Sequence, residues 1–215
     1  KSAKSKIVDS IKQMVETVFS TSLPNLSSVS ISESSGVYIP QLLKPLPMVS
    51  SEYVARSLKG ISLEIPISLY SCRTLFARAP MLKNAILCIS VPENGNLPLT
   101  FGFETLHTTL ESLSLSLSVD LAANEEPSQQ GTTLVSKPPF IARSIRISLY
   151  DNIPFDRISK EMFTGMFINA SKVSLSIDNC KELEDKKIAT GLANLIAKEC
   201  PITLQKLSIQ ARRLS

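Results

Sequence analysis

Tryptophan is absent from this 215-residue chain, histidine occurs once, and aromatic residues make up only 6%. The lone histidine, His107, removes most routes to nucleophilic catalysis, because Ser-His-Asp and Cys-His chemistry would both have to use it. It lies between Leu106 and Leu110 in a helical pattern, a setting that suits packing or a helix surface. The seven glycines form no G-x-S-x-G, no G-x-x-x-x-G-K-[ST] and no G-x-G-x-x-G, so nucleophile-elbow, P-loop and dinucleotide fingerprints are excluded. The carboxylate clusters Glu125-Glu126 and Glu182-Glu184-Asp185 read as a loop and as a helix start favoured by the helix dipole. No enzyme activity and no cofactor are expected.

Only four cysteines occur, Cys72, Cys88, Cys180 and Cys200, without a C-x-x-C pair. Wide spacing with no neighbouring histidines argues against a zinc site. It points to buried thiols in a reducing compartment, hence an intracellular, cytoplasmic location. The sequons Asn25-Leu26-Ser27 and Asn169-Ala170-Ser171 fall at positions expected to be packed. No apolar run approaches the roughly 18 to 20 residues that a membrane span needs, and residues 1–20 lack the apolar core of a signal peptide. Basic residues never exceed two in a row, as at Arg212-Arg213, and the net charge is +4. Neither nucleic acid nor membrane insertion is therefore expected.

What is present is a repeat. The pattern apolar-x-x-apolar-x-apolar starts at residues 26, 58, 82, 110, 142, 170 and 204, at intervals of 32, 24, 28, 32, 28 and 34. It reads Leu26-x-x-Val29-x-Ile31, Leu58-x-x-Ile61-x-Leu63, Leu82-x-x-Ala85-x-Leu87 and Leu110-x-x-Leu113-x-Leu115. It continues as Ala142-x-x-Ile145-x-Ile147, Ala170-x-x-Val173-x-Leu175 and Leu204-x-x-Leu207-x-Ile209. Ile65, Ile89, Leu117, Leu149 and Ile177 extend the alternation, the period-2 mark of a strand with one buried side. Helical periodicity appears at 3–19, 103–110, 155–167 and 181–199. Prolines 40, 45 and 47 argue against a long helix at 39–50. The polar stretches 91–101 and 122–139 read as loops, the second inserted in place of a helix.

Strands alternating with helices imply parallel βα units. One unit cannot bury its own apolar face, so neighbours must stack. The run Val173-Ser-Leu-Ser-Ile-Asp-Asn-Cys180, a helix to Cys200 and then Leu204-Gln-Lys-Leu207-Ser-Ile209 resembles the leucine-rich-repeat family, in its long, helix-bearing ribonuclease-inhibitor-like class. The resemblance spans about residues 26–210. It implies an α/β solenoid, with parallel strands on the concave face and helices and loops on the convex face. Where the family's corner Asn or Cys would stand, this chain has Ser34, Pro66, Ser90, Ser118, Tyr150, Asp178 and Arg212. Ser and Asp side chains are expected to bond the turn backbone there instead.

The resulting expectation is a single irregular domain over 1–215. It has a capping helix within 1–24, about seven repeats over 26–210 and the inserted loop at 122–139. The start at Lys1 and the bare last strand lead to the expectation that the chain is a fragment of a longer one, or that another subunit covers this end. The outward residues of the strands would line the concave face, and Ser62, Glu64, Ser114, Ser116, Arg146, Ser148, Ser174, Ser176 and Gln210 are the candidate partner-binding residues. Glu64 and Arg146 are its charged anchors. The expected function is a non-catalytic protein–protein interaction or scaffold module within a larger assembly. The alternatives are a regulator of an enzyme, as inhibitor or GTPase-activating solenoid, and a secreted carrier of apolar ligands.

Overall fold

A computed structural model of the chain describes residues 3–20, 23–32, 55–92, 109–120, 141–150, 166–168, 170–178, 190–191, 193–194, 196–199 and 202–212. Seven strands form one parallel sheet, β1 (Ser28–Ile31), β2 (Gly60–Ser68), β3 (Asn84–Pro92), β4 (Leu110–Asp120), β5 (Ala142–Leu149), β6 (Lys172–Asp178) and β7 (Lys206–Arg212). Their spatial order is β1-β2-β3-β4-β5-β6-β7, the order of the chain. Each strand begins at, or two residues after, one of the seven repeat starts. An open α/β sheet wound in sequential order is compatible with a repeat solenoid.

Register turns the alternation into rows. Ile31, Leu63, Leu87, Leu115, Ile147, Leu175 and Ile209 are successive cross-strand partners. So are Val29, Ile61, Ala85, Leu113, Ile145, Val173 and Leu207. From β2 to β6 the residues of these rows are at most 3% exposed and belong to a single core cluster. We call the side bearing these rows the inner face and the other the outer face. The rows lose their cover at the last strand, where Leu207 is 44% and Ile209 40% exposed.

Backbone at the head of each strand is satisfied in a repeating way. A turn closes onto the repeat start, with the Leu26, Leu58, Leu82 and Ala170 amides donating to the carbonyls of Leu23, Ala55, Ala79 and Phe167. Single carbonyls then accept two successive amides of the next repeat: Ser27 from Lys59 and Gly60, Lys59 from Lys83 and Asn84, Lys83 from Glu111 and Ser112, and Ser171 from Gln205 and Lys206. Hydroxyls join this ladder. Ser57 donates to the Leu23 carbonyl at 3.0 Å, Ser171 to that of Arg143 at 3.0 Å and Thr203 to that of Ala170 at 3.1 Å. These hydroxyl bonds lie ahead of the strands, not at the corner after them.

Helix α1 (Ala3–Ser20) buries Val15 in the core, with Val8, Ile11 and Val18 packed against it. Helix α2 (Leu69–Arg78) follows β2 directly. Ser68 caps it in extended backbone, its Oγ accepting from the Ser71 amide at 3.1 Å. Cys72, Leu75, Phe76 and Ala79, at i, i+3, i+4 and i+7, put its apolar stripe into the inner-face core. Arg78 in the last turn reaches Glu16 of α1 at 3.3 Å, joining the two helices.

Some expectations change. Leu110 opens β4 and does not end a helix, and residues 91–92 extend β3. Among the described residues, helix is found in α1, in α2 and between 190 and 199. Met166 and Phe167, from the helical pattern at 155–167, are buried in a turn. Asn25 of the first sequon is exposed, not packed. His107, Cys180, Cys200, Asn169, both carboxylate clusters, prolines 40, 45 and 47, and the loops at 93–101 and 122–139 lie outside the described residues. Among the described residues, no helix is long and apolar enough to cross a membrane.

The row structure predicts a sharp contrast on β4. Leu115→Ala removes a fully buried side chain from mid-row and should cost about 2–5 kcal/mol. Its outer-face neighbour Ser114→Ala should stay within about 0.5 kcal/mol. Leu207→Ala on the uncovered last strand should cost less than half as much as Leu115→Ala. Denaturant unfolding of the three variants measures this, and equal losses at Leu115 and Ser114 would contradict it.

Candidate functional site

The outer face carries what the inner face rejects. Because side chains alternate across a strand, every residue between two aliphatic row members points outward. Over β5, β6 and β7 these residues form a grid. Its first row is Ser144, Lys172 and Lys206, its second Arg146, Ser174 and Ser208, and its third Ser148, Ser176 and Gln210. These nine side chains and Tyr150, just beyond β5, line an open groove of about 580 Å³.

Of the nine residues expected at the binding face, Arg146, Ser148, Ser174, Ser176 and Gln210 come together in this groove. Arg146 and Gln210 are exposed, Ser174 and Ser176 half-buried, and Ser148 is buried among its neighbours. Ser114 and Ser116 continue the second and third rows onto β4, half-buried and outside the groove. Ser62 is half-buried on β2. Glu64 is exposed, but on β2, three strands from Arg146, or about 14 Å across the sheet. The two expected anchors therefore do not share one pocket.

Glu64 is also out of the expected register. Leu63 pairs with Leu87, yet Cys88 pairs with Pro66 and Ile89 with Ile67, so Glu64 and Ile65 are a two-residue insertion. Pro66 has no N–H to donate to a ladder, which is where the pairing shifts. An insertion of two keeps the alternation in phase, so Ile65 and Ile67 are both fully buried.

Lys172, Lys206, Ser144, Ser208 and Tyr150 were not among the expected residues. The signal for the first four was available, since each stands two or four residues ahead of an expected outward position and shares its parity. They change the character of the site. Arg146, Lys172 and Lys206 are all exposed, and among the described residues none of them makes an ion pair. Guanidinium, ammonium and hydroxyl groups together can hold anions and hydrogen-bond acceptors. Toward β3 the outer face is neutral, with Ile86 45% exposed and Cys88 half-buried between Pro66 and Ser116. No group of three or more metal-ligating side chains occurs among the described residues.

Burial pushes the Cys88 thiol above the ordinary thiol range. The neutral thiol is thus favoured by folding. Its contribution to stability is complete below the unfolded thiol pKa and is lost as pH rises through the folded one. Alkylation at Cys88 should accordingly be slower in the native protein than in the denatured chain at pH 8, since the thiolate is the nucleophile. Peptide-level mass spectrometry measures both rates, and equal rates would overturn this assignment.

No family model, no curated protein and no solved structure matches this chain.

Proposed function

We propose that the chain is a divergent leucine-rich-repeat-type solenoid that works inside the cell as a non-catalytic interaction or scaffold module of a larger assembly. It uses the outer face of the sheet to hold a partner protein. The observation that carries this reading is the grid over β5–β7. Nine polar side chains on three strands line one groove, on a scaffold whose packing depends on the opposite face. Side chains on regular strands are held in place by register, which lowers the ordering cost of binding. The sequential parallel order and the repeat pattern support the solenoid assignment, and the reducing-compartment reading of the cysteines supports the location. The polar lining of the groove favours a protein partner over an apolar cargo.

The test uses the double variant Glu64→Ala with Arg146→Ala beside the unsubstituted chain. Both residues are exposed on the outer face, so unfolding free energy should change by no more than about 0.5 kcal/mol for each. Affinity purification from the source cells should retain a stoichiometric protein on the unsubstituted chain and lose it on the variant. Equal recovery on both, or recovery of the chain alone, would contradict the proposal.

A further inference from the structure

Among the described lining residues of the groove the charges are of one sign. Arg146, Lys172 and Lys206 lie within one groove, and among the described residues no acidic side chain lines it. The strands β5, β6 and β7 hold one acidic residue, Asp178, at the far end of β6 in register with Arg212. Arg143, just ahead of Arg146, is exposed as well. Elsewhere on the sheet the pattern differs: Lys83 is neutralised by Glu111 on the next strand at 3.2 Å.

Lys172 and Lys206 are direct register partners on neighbouring parallel strands. Two ammonium groups on adjacent positions, about 4.8 Å apart at the backbone, repel each other in the free protein. An anion placed between them removes that repulsion and adds two attractive contacts. Arg146 stands one strand over and one row along, about 8 Å from Lys172. An extended peptide carries its alternate side chains about 6.6 Å apart. Carboxylates at i and i+2 therefore reach the lysine pair and the guanidinium together, with flexible side chains closing the difference. Ser174 and Ser208 fill the second row between them and can donate to the peptide's carbonyls.

From this geometry we infer that the β5–β7 groove receives an extended, acidic segment of the partner protein, with carboxylates at alternate positions. The lysine pair and Arg146 supply the recognition, and Ser174 and Ser208 bind the main chain. The inference rests on the interaction-module reading and gives that module's partner a chemistry.

The experiment measures binding of a fluorescent peptide of alternating Glu and Ser by anisotropy, with the Gln-Ser peptide as its neutral counterpart. The acidic peptide should bind the unsubstituted chain at low salt and weaken steeply as salt is raised, and the Gln-Ser peptide should bind roughly tenfold or more weakly. Lys172→Glu with Lys206→Glu should abolish binding, and the milder Lys172→Gln with Lys206→Gln should reduce it roughly tenfold. Lys59→Glu, an exposed cation outside the groove, should leave it unchanged. Circular dichroism checks that each variant is folded. Equal binding of the two peptides, or binding indifferent to the lysine pair, overturns the inference. So does groove-dependent binding shown only by a single-stranded oligonucleotide or an anionic phosphatidylserine vesicle. If the lysine variants still capture the cellular partner that the Glu64/Arg146 variant loses, the module stands and its acidic partner does not.

Discussion

Lateral stacking of the inner aliphatic rows is the constraint on which the rest of this structure depends. A lone strand such as Leu113-Ser-Leu115-Ser-Leu117 has no way to bury its apolar side. In the sheet each of these leucines lies between aliphatic partners on β3 and β5 and is essentially inaccessible. Burying one such side chain contributes about 1.5–3 kcal/mol. The interactions are between neighbours, so stability is built strand by strand. Helix α1 adds Val15 to the core, whereas at the last strand Leu207 and Ile209 stay partly open to water.

The same constraint frees the outer face. Its side chains take little part in the core, so their chemistry can change from strand to strand without disturbing the fold. On β4 they include Ser112, Ser114, Ser116 and Ser118. On β3 they include Ile86 and Cys88. On β5 to β7 they become arginine, lysine and serine around one groove. Backbone bonding is handled separately ahead of the strands: at β2, β3, β4 and β7 one carbonyl takes two amides from the next repeat, and hydroxyls of Ser57, Ser171 and Thr203 add to the ladder. Packing, backbone satisfaction and surface chemistry thus occupy three different parts of each unit.

Much of this was legible in the sequence because the signal repeats. Seven occurrences of one apolar pattern located seven strands, and the period of two assigned their faces. What the pattern missed has physical causes. Helix α2 is short, and its stripe of Cys72, Leu75, Phe76 and Ala79 begins straight after a strand that shares its apolar composition. The insertion of Glu64 and Ile65 is invisible to alternation, since two extra residues preserve it, and only Pro66 marks the place. Lys172 and Lys206 were overlooked because the outward column was followed from the middle of each strand, although the parity that exposes Ser174 and Ser208 also exposes them. The grouping of five expected residues into one groove depends on which strands are adjacent, and no single strand carries that information.

Strand order is accordingly the most direct point of attack. Pulsed electron paramagnetic resonance, with labels introduced so as to spare the native thiols, would measure distances from Ser62 to Ser114, Arg146, Ser174 and Ser208, one site on each of β4 to β7. A sheet in sequential parallel order predicts distances that lengthen steadily, by about 4.8 Å for each strand crossed. A distance that shortens between any two successive sites would contradict that order, and with it both the inner rows and the groove built upon them.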